Sequence, residues 1–176
     1  MLKKVAFLFV LFFFMYSCIP VYTAKRISTH EISDGGQEFL ELKAYTFQYK
    51  GNNFNYFKAI RDFFELSNDV NLNEFITNDF IENKELKFFI SRDIDRDSYL
   101  DLTGLVFGNK DNDNQNNSHN INDKEGDITI KNGGEVHYVY IQILDENGND
   151  LLATDNFWKS IAIQKLKKLQ EKINNR

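Results

Sequence analysis

Hydrophobic and polar positions alternate along this chain with a changing period, and the changes mark its elements. Residues 38–50 (EFLELKAYTFQYK) mix aromatic and aliphatic side chains without clean alternation, which predicts a strand or strand pair buried partly on both faces. Gly51-Asn52-Asn53 then reads as a turn. From Phe54 to Leu66 the apolar residues Phe57, Ile60 and Phe64 recur at three and four, the period of a helix with one apolar stripe. Asn71 and Glu74 have the spacing of a capping box, so a second short helix is expected to carry Leu72, Phe75, Ile76, Phe80 and Ile81.

The pattern then changes to period two. Glu85 to Ser91 and Tyr99 to Phe107 read as strands, and so do Asp127 to Lys131 and Glu135 to Leu144, joined by Asn132-Gly133-Gly134. The stretch 109–125 (NKDNDNQNNSHNINDKE) is polar and without period, a loop by composition. Asp145 to Asp150 (DENGND) carries a hairpin turn signal leading into a strand at Leu151 to Ala153, with a cation loop as the alternative. Residues 156–173 form a helix with Trp158, Ala162, Leu166, Leu169 and Ile173 on one stripe. The order predicts an α+β fold: an antiparallel sheet of five or six strands, two short helices and a C-terminal amphipathic helix, with no internal repeat.

The N-terminal end has a different logic. Met1 to Lys4 is a short basic segment, and Val5 to Tyr16 (VAFLFVLFFFMY) is uninterrupted apolar sequence. A bilayer-spanning helix needs about 20 apolar residues, so this run is too short to span and fits the apolar region of an export signal. It stops at Met15-Tyr16-Ser17-Cys18, and Cys18 is the only cysteine of the 176 residues, which leaves no intramolecular disulfide partner. This junction resembles the lipobox of bacterial lipoproteins, with small Ser17 before the cysteine and apolar Met15 three before it; Tyr16 is bulkier than the usual second position. The resemblance implies a signal peptide over residues 1–17, diacylglyceryl transfer to the Cys18 thiol, cleavage before Cys18 and acylation of the new amine. Two or more acyl chains hold a protein on a membrane where one holds it marginally. An ordinary secretory signal is the alternative. Ile19 rather than aspartate after Cys18 implies, by the same resemblance, the outer membrane of a two-membrane cell envelope. Residues 18–36 are then expected to form the lipidated N-terminus and a tether with one short strand, and 37–176 a single domain.

Composition narrows the function classes. Hydrophobic residues are 42% of the chain and aromatic ones 15%, a composition that folds. The formal charge is −5, and residues 1–17 contribute only lysines, so the remainder is more acidic still. An acidic body without a basic cluster argues against nucleic acid as a partner, because phosphate neutralisation carries that binding. Lys165, Lys167, Lys168 and Lys172 read as a solvated helix face.

One stretch carries candidate chemistry. Asp93, Asp95, Asp97 and Asp101 stand at positions 1, 3, 5 and 9 of residues 93–101, with Tyr99 at position 7 able to add a carbonyl oxygen. Calcium takes six to eight oxygens at about 2.3–2.6 Å, which a curled loop of alternating acids can supply. The stretch resembles the calcium loops of EF-hands and, more closely, of FG-GAP and VCBS-type repeats. It departs from them at Ser98, where glycine is usual, and at Gly104, where an EF-hand has glutamate. A calcium ion that stiffens a hairpin is therefore the candidate cofactor; an exposed hairpin whose acids pair with Arg92 and Arg96 is the alternative.

His30, His119 and His137 have no metal-ligand spacing, and no nucleophile elbow or phosphate loop is present. No catalytic residue is assigned. The expected protein is not an enzyme but an envelope lipoprotein acting as a binding or structural module. Two alternatives stand beside it: an accessory subunit of an envelope-assembly or transport complex with an envelope protein partner, and a hydrolase of unrecognised type.

Overall fold

The computed structural model describes residues 18–35, 41–50, 53–101 and 129–175. The expected signal peptide and the polar loop at 109–125 lie outside the described residues. Eight elements follow in chain order: β1 (Cys18–Tyr22), β2 (Glu31–Asp34), β3 (Lys43–Tyr49), α1 (Asn53–Phe64), β4 (Glu74–Ile81), β5 (Lys84–Asp101), β6 (Thr129–Leu144) and α2 (Phe157–Asn174). The fold is α+β, a six-stranded antiparallel sheet with two helices. Strand order is β1-β5-β6-β3-β2, and β4 also pairs with β5. The described residues divide into two compact units, a smaller one from 18–24, 96–101 and 129–135 and a larger one from the described residues of 25–95 and 136–175.

The larger unit owns the apolar core. Odd positions of β3 (Tyr45, Phe47, Tyr49) and β6 (Val139, Ile141, Ile143) join even positions of β5 (Leu86, Phe88, Ile90) in one buried set. Registers Tyr45↔Ile141 and Phe47↔Val139 put these side chains on a common face. Against it α1 buries Tyr56, Ala59, Ile60 and Phe64, and α2 buries Ala162, Leu166, Leu169 and Ile173. Phe64 lies 4.9 Å from Phe75, 5.6 Å from Phe80 and 4.8 Å from Phe88 by ring centroids, and Phe75 stacks on Phe88. Edge-to-face and stacked pairs of this kind add about 0.5–1.5 kcal/mol each beyond burial.

β3 is buried on both faces, as its lack of alternation implies. On the second face the Thr46 and Ser33 hydroxyls share a hydrogen bond of 2.6 Å, and the Gln142 amide donates to the Leu42 carbonyl. Buried Ile27 and a hydrogen bond from the Tyr138 hydroxyl to the Lys25 carbonyl bring residues 25–27 over this face. The Tyr45 hydroxyl donates to Gln170, whose amide donates to the Thr29 carbonyl, so one glutamine ties β3 to the approach to β2.

Five sequence expectations are corrected. Residues 74–81 form strand β4, not a second short helix: Phe75 and Thr77 are buried while Glu74, Ile76 and Asn78 are exposed, a period of two. The Asn71 carboxamide accepts the Asn73 N–H in an Asx turn rather than opening a helix, and Asn83 at φ 59° supplies the left-handed residue of the β4–β5 turn. β-branched Ile76, Thr77 and Ile81 favour the strand.

The two strands expected around residues 93–98 are one strand, β5; no Gly, Pro or Asn interrupts 91–101, and residues 102–107 lie outside the described residues. Asn132-Gly133-Gly134 is not a turn but the interior of β6, with neither glycine at positive φ. Leu151 to Ala153 is a turn, joined to the sheet by the Leu144↔Asp150 bridge and by the Leu151 N–H donating to the Ile143 carbonyl. Finally, residues 18–34 carry two paired strands where a tether with one short strand was expected.

The helical stripes are also displaced. Phe57 is 39% exposed, and its place on the buried face of α1 is taken by Tyr56. Trp158 is half-exposed under the Lys84 ammonium, while Asn156 caps α2 by accepting the Lys159 N–H at 2.8 Å. Phe88→Ala is expected to cost about 3–5 kcal/mol in urea unfolding. Phe57→Ala, on the open side of the same helix, is expected to cost under about 1 kcal/mol.

Candidate functional site

The alternating acids of 93–101 do not meet around a common point. In a strand, residues two apart are separated by about 6.6 Å. Oxygens sharing one calcium lie within about 5 Å of one another. The curled loop on which the calcium expectation rested is an extended segment of β5. Among the described residues no group of three or more His, Cys, Asp or Glu side chains is placed to hold a metal ion.

Each acid has a local environment instead. In the smaller unit Asp97 is buried and its Oδ1 accepts the Ala24 N–H at 2.9 Å. Asp101 is buried and ion-paired with Lys131, and Arg96 pairs with Glu135 at 2.8 Å. The Tyr99 ring lies over Gly133, where a Cβ would stand 2.2 Å from the ring edge; this close approach is what glycine at 133 permits. Tyr99 therefore contributes its side chain to the sheet surface.

In the larger unit Asp93 Oδ1 accepts the Ile94 N–H at 2.8 Å. Burial, and after it the negative charges of Asp93, Glu31 and Asp95 together with Tyr138, raise the Tyr140 phenol above its usual pKa. Tyr140 had no distinguishing mark in the sequence. Only the register of the sheet brings a phenol from β6 among acids from β2 and β5.

The Arg92 guanidinium lies 4.6 Å from the Tyr56 ring centroid and 4.9 Å from that of Phe57, a cation–π arrangement on the exposed side of α1. A shallow concavity beside it is lined by Phe57, Lys58, Arg61, Asp62 and Glu65 among others. Arg61 donates to the Ser67 and Val70 carbonyls and Lys58 pairs with Asp62 at 3.0 Å, so these charges hold the helix and its exit. Among the described residues no Ser, Thr, Cys or His lines this concavity.

The two described histidines have different surroundings. His30 stacks on Tyr45 at 4.7 Å, and burial, followed by the nearby Lys167 charge, lowers its pKa. His137 is half-buried on β6 opposite Tyr49, and His119 lies outside the described residues. The DENGND segment is a turn: Asp145 accepts the N–H groups of Asn147 and Asn149, with Gly148 at φ +76°. Comparison with protein-family models, curated proteins and solved structures finds no match for this chain.

Two predictions follow from this geometry. Millimolar calcium added after EDTA is expected to leave the melting temperature unchanged; a rise of several degrees that Asp95→Ala abolishes would restore the curled loop. The second concerns Tyr56, whose pKa burial raises strongly, against the smaller opposing pull of Arg92. An unfolded phenol ionises near pH 10. The folded state holds its proton longer, so stability is full below about pH 10 and falls as pH rises above it. Tyrosinate absorbance with and without Tyr56→Phe measures this, and the substitution should flatten the alkaline slope.

Proposed function

We propose that this chain is a lipid-anchored protein of a bacterial cell envelope, acylated on Cys18, whose mature body is a non-catalytic binding or structural module. The observation that carries the proposal is the coincidence of three features at one place: a basic start, an apolar run too short to span a bilayer, and the only cysteine of the chain at the end of that run, directly after a small residue. Two acyl chains make such an attachment stable, because each buried CH₂ contributes about 0.8 kcal/mol. Among the described residues no helix is long and apolar enough to cross a membrane.

The module reading draws on the composition of the larger unit. Its interior is apolar, and at the concavity beside α1 the charged groups Arg61, Lys58 and Asp62 are engaged in holding the helix and its exit. Ile19 after the cysteine favours the outer membrane.

The test is made in growing bacteria. Cells fed labelled palmitate should label this protein, and its mature N-terminus should be a modified Cys18. Cys18→Ser should abolish the label and leave the precursor uncut. A mature N-terminus at any other residue overturns the proposal.

A further inference from the structure

We propose that the smaller unit lies directly on the bilayer through one face of its sheet, the face carrying Ile19, Tyr22, Leu100 and Ile130. This rests on the acylation of Cys18 proposed above and goes beyond it, since an anchored protein can also stand away from the membrane on a free linker.

Here the attachment residue is the first residue of β1, paired with Asp101. At about 3.3 Å per residue, Tyr22 stands no more than about 13 Å along the strand from the acylated position. The surface of this unit is therefore held within reach of the headgroups by covalent geometry.

The two faces of the unit differ in chemistry. Ile19 pairs with Leu100 and Tyr22 with Ser98, so both lie on the face of the even positions of β5. They share it because the register shifts between Pro20 and Tyr22, where Val21 is the extra residue; without that bulge Tyr22 would point the other way. Gly133 lies under Tyr99 and Lys131 pairs with Asp101, which puts positions 131 and 133 of β6 on the opposite face here and Ile130 on the face of Leu100. Ile19, Tyr22 and Ile130 are 49%, 49% and 47% exposed.

The opposite face carries Pro20 and Tyr99 together with charged groups that are internally satisfied, Asp97 bonded to the Ala24 N–H and Asp101 paired with Lys131. Among the described hydrophobic residues of this unit only Ala24 is buried. Exposed isoleucines beside a tyrosine suit the boundary between headgroups and acyl chains, where apolar side chains enter and tyrosine is enriched.

The experiment compares two neighbouring residues on opposite faces. Ile130→Cys and Lys131→Cys are made separately in the full chain, whose Cys18 thiol is blocked by acylation. Each is labelled with an environment-sensitive fluorophore and reconstituted into phosphatidylethanolamine/phosphatidylglycerol vesicles with or without nitroxide-bearing lipid. The intact mass of the same samples reports acylation.

Acylated protein should lose roughly half or more of its emission at 130 to the nitroxide lipid and little at 131, as expected for an apolar face seated in the interface. If acylation is confirmed and position 130 is not quenched, the inference fails while the anchor stands. Equal quenching at both positions removes the face preference and overturns it too. Unacylated protein from cells that process lipoproteins would sink the anchor, and the inference with it.

Discussion

Burial of the aromatic and aliphatic surface between the sheet and α1 and α2 is the constraint from which the larger unit follows. Phe88 sits where it converges, stacked on Phe75 and edge-on to Phe64 and Phe80. Fully burying one such side chain contributes about 1.5–3 kcal/mol. The demand that β3, β5 and β6 present one apolar face decides their mutual register, because a one-residue slip would expose every ring at once. It also decides the state of residues 74–81. As a helix they would place Phe75 and Phe80 without the cross-strand partners that β5 supplies.

The smaller unit is stabilised differently. None of its described residues belongs to the apolar core, and its buried polar groups are carboxylates satisfied by a backbone N–H and a lysine. A buried carboxylate is tolerated only when bonded or paired. The same alternation that resembles a calcium loop here belongs to an extended strand, with the acids at its odd positions and Ile94, Arg96, Ser98 and Leu100 between them. A charge pattern of period two is shared by curled ligand loops and amphipathic strands, and nothing local in 93–101 separates them.

The glycine pair at 133–134 and the single proline illustrate how context reverses a punctuation signal. Gly133 stands in a strand because the Tyr99 ring needs the space that a Cβ would occupy. Pro20 stands in β1, which among the described strands has β5 as its only neighbour, and an edge strand accommodates a residue without an N–H donor. Turn chemistry remained legible where side-chain hydrogen bonds are local. Asp145 closes the DENGND turn, and Asn156 caps α2, through contacts spanning four residues or fewer.

By itself the sequence determined what depends on short range or on gross composition: the α+β class, the helix at 157–174 with its buried stripe, the 145–150 turn, and the apolar segment ending at the only cysteine. Tertiary structure alone decided which apolar residues face inward, as Tyr56 displacing Phe57 shows. It also decided that two pairs of expected strands are two long ones, that 74–81 is extended, and that residues after Cys18 enter the sheet at once. Those outcomes depend on partners distant in the chain: β5 for β4, Tyr99 for Gly133 and Asp101 for Cys18. Periodicity records that a residue will be buried, and only the partner strand selects the conformation in which that burial occurs.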